Sequence, residues 1–177
     1  MTRPSTGRPL TVGFYPSCRG FGWAALEARF SAYDWGVVSV SKDKNARSVY
    51  HFERILDRLC PETVVLERFP PNVRRTTRVV ALQKAIRASA LSRGIEVASF
   101  ARGDVQSCFS EVGAATRLEI AAAVARQLPA LGHRLPRRRG AWLPEDRWMA
   151  LFNAAALVLT HYRLGADQLF QDLSSVK

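Results

Sequence analysis

The sequence predicts an α/β protein: a mixed five-stranded sheet with helices on both faces. Three observations carry this. Residues 10–40 hold three short β-type runs joined by tight turns, the pattern of an antiparallel meander. Residues 62–67 and 95–100 are largely apolar runs, each preceded by a helix-periodic stretch, which is how parallel strands are written. The chain then closes on an apolar helical segment, 144–162. With 177 residues, 47% of them hydrophobic, one domain can bury a sizeable core.

Residues 10–14 read as the first strand, 16–20 as a turn, 21–27 as its hairpin partner and 35–40 as a third strand. Residues 45–59 have helical periodicity, with Val49, Phe52, Ile55, Leu56 and Leu59 on one face, and Pro61 ends the run. The buried-type strand 62–67 follows. Pro70-Pro71 breaks the chain before a long basic helix, 72–93, which Gly94 stops in the C-cap position. Residues 95–100 form the fifth strand, 101–110 a single helical turn, 115–128 a helix and 129–140 a loop carrying Arg134, Arg137, Arg138 and Arg139. The last helix spans 144–162. Residues 1–9 and 165–177 read as tails around one domain, 10–164.

Charge narrows the function. Lys and Arg number 26 against 15 Asp and Glu, a net +11, so a polyanionic partner is expected, nucleic acid rather than a membrane surface. Arginine carries most of that charge, and its planar fork suits phosphate. Arg74, Arg75, Arg78, Lys84 and Arg87 decorate the basic helix, with Arg74/Arg78 and Lys84/Arg87 at same-face spacings. No glycine-rich phosphate loop follows the first strand, which argues against a nucleoside-triphosphate enzyme. Cys18, Cys60 and Cys108 are few, odd in number and widely spaced, and His51, His133 and His161 have no ligand spacing. A reducing, cytoplasmic setting is expected, with no signal peptide and no bilayer-spanning run.

One polar residue stands out in the closing helix. Asn153 sits among Leu, Phe, Ala and Val, where an amide is costly unless it is paired or lines a site. Helical spacing puts Asp146, Ala150 and Asn153 on one face.

Four segments together resemble the RuvC family of Holliday-junction resolvases, which have an RNase H-like fold. Gly13-Phe14-Tyr15-Pro16-Ser17-Cys18-Arg19-Gly20-Phe21-Gly22 resembles the family's opening, G-[IL]-D-P-G-x-R-x-x-G-[FY]-G. Val64-Val65-Leu66-Glu67 resembles its second motif, a strand ending in a catalytic Glu. Residues 103–128 are similar to its segment before the last helix. The run from Asn153 to His161, N-A-A-A-L-V-L-T-H, is similar to its closing helix, D-A-L-A-[IL]-A-[IL]-T-H. The order and the length both agree.

The resemblance implies an Mg²⁺- or Mn²⁺-dependent endonuclease acting on branched or duplex DNA. Such enzymes use four carboxylates to hold two metal ions, which activate a water and steady the leaving oxygen. Carried over by position, those carboxylates fall on Tyr15, Glu67, Ala150 and Asn153, and only Glu67 keeps its charge. The site residues implied are Glu67, Asn153, Asp146 and Tyr15, with Glu67 and Asp146 as metal ligands. Three readings of the lost acids stay open: a natural pseudo-nuclease that binds without cutting, an Asp→Asn replacement at 153, or a migrated site using Glu145 or Asp146. An inactive chain would need no cofactor and would serve as a DNA-binding or assembly subunit. The resemblance also implies DNA rather than RNA as partner, and a homodimer or larger nucleoprotein complex. DNA contacts are expected from the basic helix, from Arg117 opening the penultimate helix, from Arg137, Arg138 and Arg139, and from Phe69 as a wedge.

Overall fold

A computed structural model describes residues 8–71, 75–140 and 143–175, with side chains described to residue 166. Five strands form one sheet: β1 (Thr11–Ser17), β2 (Gly20–Ala28), β3 (Ser31–Ser39), β4 (Thr63–Arg68) and β5 (Glu96–Ala101). Their order across the sheet is β3-β2-β1-β4-β5. The β1–β2 and β2–β3 pairs are antiparallel, and the β1–β4 and β4–β5 pairs are parallel. This is the mixed sheet that the meander and the two crossovers predict. The hairpin is tighter than expected, since Pro16 and Ser17 still belong to β1 and only Cys18 and Arg19 turn the chain.

Helices cover both faces. Helix α1 (Lys44–Leu59) and helix α2 (Thr77–Ser92) lie on one side, where Phe52, Ile55, Leu56, Leu82 and Ile86 pack on Phe14, Phe21 and Leu66. Helix α3 (Arg102–Ser110), helix α4 (Arg117–Gln127) and helix α5 (Met149–Ser175) build the other side on Tyr15, Ala24, Leu26 and Val65. Alternation along a strand explains the division: Phe14 and Leu66 face one layer, and Tyr15 and Val65 the other.

Several boundaries differ from the sequence expectation. Thr76 caps α2, its hydroxyl accepting from the Val79 N–H, so the helix starts five residues after the expected 72. The expected single turn at 101–110 is a full helix, and 129–134 of the expected loop form a 3₁₀ helix. Helix α5 begins at Met149 and not at 144, and it continues through 165–175, where a tail is expected. A single glycine, Gly165, costs a helix only about 1 kcal/mol and does not stop this one.

Helix α5 lies directly on the sheet because two strand positions have no side chain. A Cβ on Gly13 would come 2.2 Å from the Ala154 carbonyl oxygen. A Cβ on Gly22 would come 2.2 Å from the Ala150 carbonyl carbon. Both neighbours are backbone, so neither can move aside cheaply. Ala150, Ala154 and Ala155 complete the close approach, which fixes the height of Asn153 above β1 and β4.

Candidate nucleic-acid interface

Strand register sets the first two site residues side by side. Gly13 pairs with Val65 in the parallel β1–β4 ladder. Two residues on, and on the same face, stand Tyr15 and Glu67. Asn153 comes down from α5, about two turns before His161. All three line one cavity of about 40 Å³, together with the polar Arg102, Gln106 and Arg117 and the apolar Val105, Ile120, Ala156 and Leu157. The expected meeting of Tyr15, Glu67 and Asn153 from two strands and a helix is therefore seen.

The electrostatics of this cleft are unusual for a buried acid. Glu67 is 6% exposed. Arg75 Nη2 donates to its Oε2 at 2.8 Å. The same Arg75 nitrogen lies 3.5 Å from the Tyr15 hydroxyl, and Arg117 Nη2 approaches that hydroxyl at 3.4 Å. Arg117 Nη1 also donates to Glu145 Oε1 at 2.8 Å. Burial pushes the Glu67 carboxyl above the ordinary glutamate range, against the lowering pull of Arg75 and Arg117. Burial and the Glu67 charge push the Tyr15 phenol up in turn, so it stays protonated at neutral pH. The Gln83 side-chain amide donates to the Glu67 backbone carbonyl and ties β4 to α2.

Donors outnumber acceptors here. Arg75, Arg102, Arg117 and the Asn153 amide surround Glu67, and the only other carboxylate among their partners is the exposed Glu145 on Arg117. Two of the donors, Arg75 Nε and Asn153 Nδ2, are buried without a hydrogen-bond partner.

A pair of divalent ions does not fit these residues. Among the described residues, Glu67 is the only acid lining the cavity, and Arg75 already holds it. A divalent ion about 5 Å from a guanidinium, at an effective dielectric of about 20, is repelled by roughly 7 kcal/mol. Two such arginines outweigh the roughly 11 kcal/mol that one carboxylate about 3 Å away would return. Among the described residues, no group of three or more His, Cys, Asp or Glu side chains is placed to hold a metal ion.

Asp146 does not join Glu67. The expectation that Asp146, Ala150 and Asn153 share a helix face fails because α5 starts only at Met149. Asp146 Oδ1 instead accepts from the Trp148 N–H at 3.0 Å, a local turn that competes with helix. Its Oδ2 pairs with Arg139 at 3.0 Å. With Glu145, it lines a neighbouring groove of about 650 Å³ between the β1–β2 turn and the start of α5.

The basic residues divide into two groups. Arg137, Arg138 and Arg139 are exposed and share a groove with Thr116 and Arg117, beside the cleft. Phe69, Lys84 and Arg87 line a separate groove that reaches Glu67 from the α2 side, and the Arg75 guanidinium stacks 4.9 Å from the Phe69 ring. Arg78 is used internally: it donates to the Ser17 carbonyl at 2.6 Å and to Asn45 Oδ1 at 3.3 Å. It braces the β1–β2 turn and is not a free phosphate contact. Arg74 lies outside the described residues. Arg102 is a site residue that the sequence reading misses. Its position directly after β5 is the available signal, since crevices of open α/β sheets lie at the carboxyl ends of their strands.

No family model matches the chain, and no curated protein does. Solved structures do. The Thermus thermophilus RuvC structure is 21% identical with a TM-score of 0.65, over 88% of this chain and 96% of that one. T. thermophilus RuvC in complex with Holliday junction substrate matches at 21% identity and a TM-score of 0.62, over 87% of this chain and 92% of that one. The strand order, the helices on both faces and this likeness agree: the chain shares the mixed α/β fold of the T. thermophilus RuvC structure.

Proposed function

We propose that this chain binds branched or duplex DNA on its arginine-rich face and holds it without cutting. One observation carries the reading. The position from which a RuvC-type carboxylate would grip a metal ion is here Glu67, and Arg75 occupies it at 2.8 Å. Tyr15 and Asn153 add neutral groups where further acids would be needed.

The binding half rests on charge and shape. The chain carries +11, and Arg137, Arg138 and Arg139 flank the cleft next to Arg117. A similar fold is known in complex with a Holliday junction substrate. Phosphate contacts of this kind bind with little sequence preference and weaken steeply with salt.

The test is a gel-shift and cleavage experiment on one labelled four-way DNA junction. The expected result is salt-sensitive binding with the junction intact in Mg²⁺ and in Mn²⁺. Metal-dependent nicking by the unaltered chain restores the endonuclease reading. A chain that ignores DNA at low salt points instead to a protein-docking subunit.

A further inference from the structure

The cleft is lined by donors, one of which, on Asn153, is buried without a hydrogen-bond partner, and it rejects a divalent cation. A site with those properties takes an anion. We propose that Arg102, Arg117 and Asn153 receive a backbone phosphate of DNA directly, with no metal ion between protein and phosphate. The proposal rests on the DNA-binding reading above and places one phosphodiester of the bound strand inside the cleft.

The geometry supports a small tetrahedral anion. The cavity of about 40 Å³ has room for roughly three water-sized groups, the scale of a phosphate's oxygens. Asn153 lines it from α5, and its buried Nδ2 has no hydrogen-bond partner. Arg117, partly buried at the start of α4, lines the same cavity, with its Nη1 on the exposed Glu145. A bidentate phosphate is a stronger partner than that solvent-facing carboxylate, since Arg–phosphate pairs are charge-assisted and fork-matched. Arg102 is exposed at the rim and has the reach of a long side chain. Arg75 stays on Glu67, which keeps the one negative group in the cleft neutralised. The arginines thus supply the positive charge that a divalent ion supplies in a metal-dependent site. Arg139, on Asp146 in the adjoining groove, continues the positive track toward Arg137 and Arg138.

The experiment measures affinity of the full chain for a fluorescein-labelled four-way DNA junction, in EDTA and in Mg²⁺, across a salt series. The unaltered chain is expected to bind in EDTA without needing Mg²⁺, which acts only as a competing counterion on the DNA. Arg102→Ala with Arg117→Ala should weaken binding in EDTA about tenfold or more, and should lower the salt slope by about one, for the single phosphate no longer neutralised. Asn153→Asp removes no packing and adds a negative charge to the cleft, so it should weaken binding in EDTA even if the arginine variant melts. Melting curves accompany each variant. Binding that requires Mg²⁺ overturns the proposal, as does unchanged affinity of Asn153→Asp or of a folded Arg102/Arg117 variant. In either case the DNA-binding reading survives. Loss of all binding by the unaltered chain overturns both.

Discussion

Arg75 Nη2 lies 2.8 Å from Glu67 Oε2, joining a side chain that is 24% exposed to one that is 5% exposed. The pair is asymmetric in its consequences. Removing the arginine leaves a buried carboxylate with no cation on it, whereas removing the acid frees an arginine that can reach water. Arg75→Ala should therefore cost about 2 kcal/mol or more of stability at neutral pH. Glu67→Gln should cost less. Urea unfolding of both single variants and of the double variant would measure the coupling. Additive losses would mean that the pair contributes nothing beyond its separate contacts.

The seating of α5 depends on two missing side chains. Gly13→Ala and Gly22→Ala each drive a methyl group against helix backbone at 2.2 Å, and each should cost about 3 kcal/mol or more. Gly103 is the control. It lies in the first turn of α3 with nothing within 4 Å of an added Cβ. Gly103→Ala should stabilise by about 0.5–1 kcal/mol. Denaturant midpoints separate these opposite signs. If Gly13→Ala were as harmless as Gly103→Ala, α5 would not rest on β1 as described.

The sheet is legible in the sequence because its signals are local. Alternation in the meander and the apolar runs of β4 and β5 need only their own residues to be read. Sequence and structure part where a side chain's partner is distant or unexpected. Pro144-Glu145-Asp146 has the composition of a helix start, yet Asp146 commits its carboxylate to the Trp148 N–H and to Arg139. Arg78 reads as a surface cation at helical spacing from Arg74, but its partners, Ser17 and Asn45, lie 61 and 33 residues away. No helical-wheel argument reveals contacts at that separation. The capping of Glu67 by Arg75 is hidden for the same reason: Pro70-Pro71 lies between them, and no local pattern pairs them.

Two groups should give stability opposite slopes with pH. Burial raises the Glu67 carboxyl above its ordinary 4.5, so the native state holds that proton longer than the unfolded chain does. Its contribution is full below pH 4.5 and is lost as pH rises through the folded value. His161, packed between Phe100 and Tyr162, is held below its ordinary 6.5 by burial. The unfolded chain then binds more protons, so this contribution is present above pH 6.5 and is lost as pH falls through the folded value. Melting temperature followed from about pH 4.5 to 7 should show Glu67→Gln with a steeper rise than the unaltered chain, and His161→Phe with a shallower rise or a fall. Parallel curves for all three would remove both assignments.

The exposed arginine loop should act through charge alone. Arg137, Arg138 and Arg139 border the groove that runs to Arg117. Replacing all three by Ala should weaken junction and duplex binding alike, and should lower the salt slope by about one for each phosphate no longer neutralised. The melting temperature should barely move, because the loop's ion pair, Arg139 with Asp146, is surface-exposed on the arginine side. Unchanged affinity at low salt would remove this loop from the interface.

The sharpest prediction concerns position 153. Restoring an acid there is the smallest change that moves the cleft toward a RuvC-type site, and an amide-to-carboxylate exchange preserves shape. If missing acids were the whole obstacle to catalysis, Asn153→Asp would pair with Glu67 and should begin to nick branched DNA in Mn²⁺. The structure argues otherwise. Arg75 would still hold Glu67, and Arg117 would stand ready to neutralise a new carboxylate across the same cavity. Two acids with two arginines leave no net negative charge for a divalent ion. Asn153→Asp alone should therefore bind junction DNA more weakly and leave it intact. Adding Tyr15→Asp and Arg75→Ala would remove one guanidinium and give three carboxylates, and only that triple variant should show a Mn²⁺-dependent rise in melting temperature. Nicking by the single Asn153→Asp variant would show that the arginines yield to metal, and would return this chain to the endonucleases.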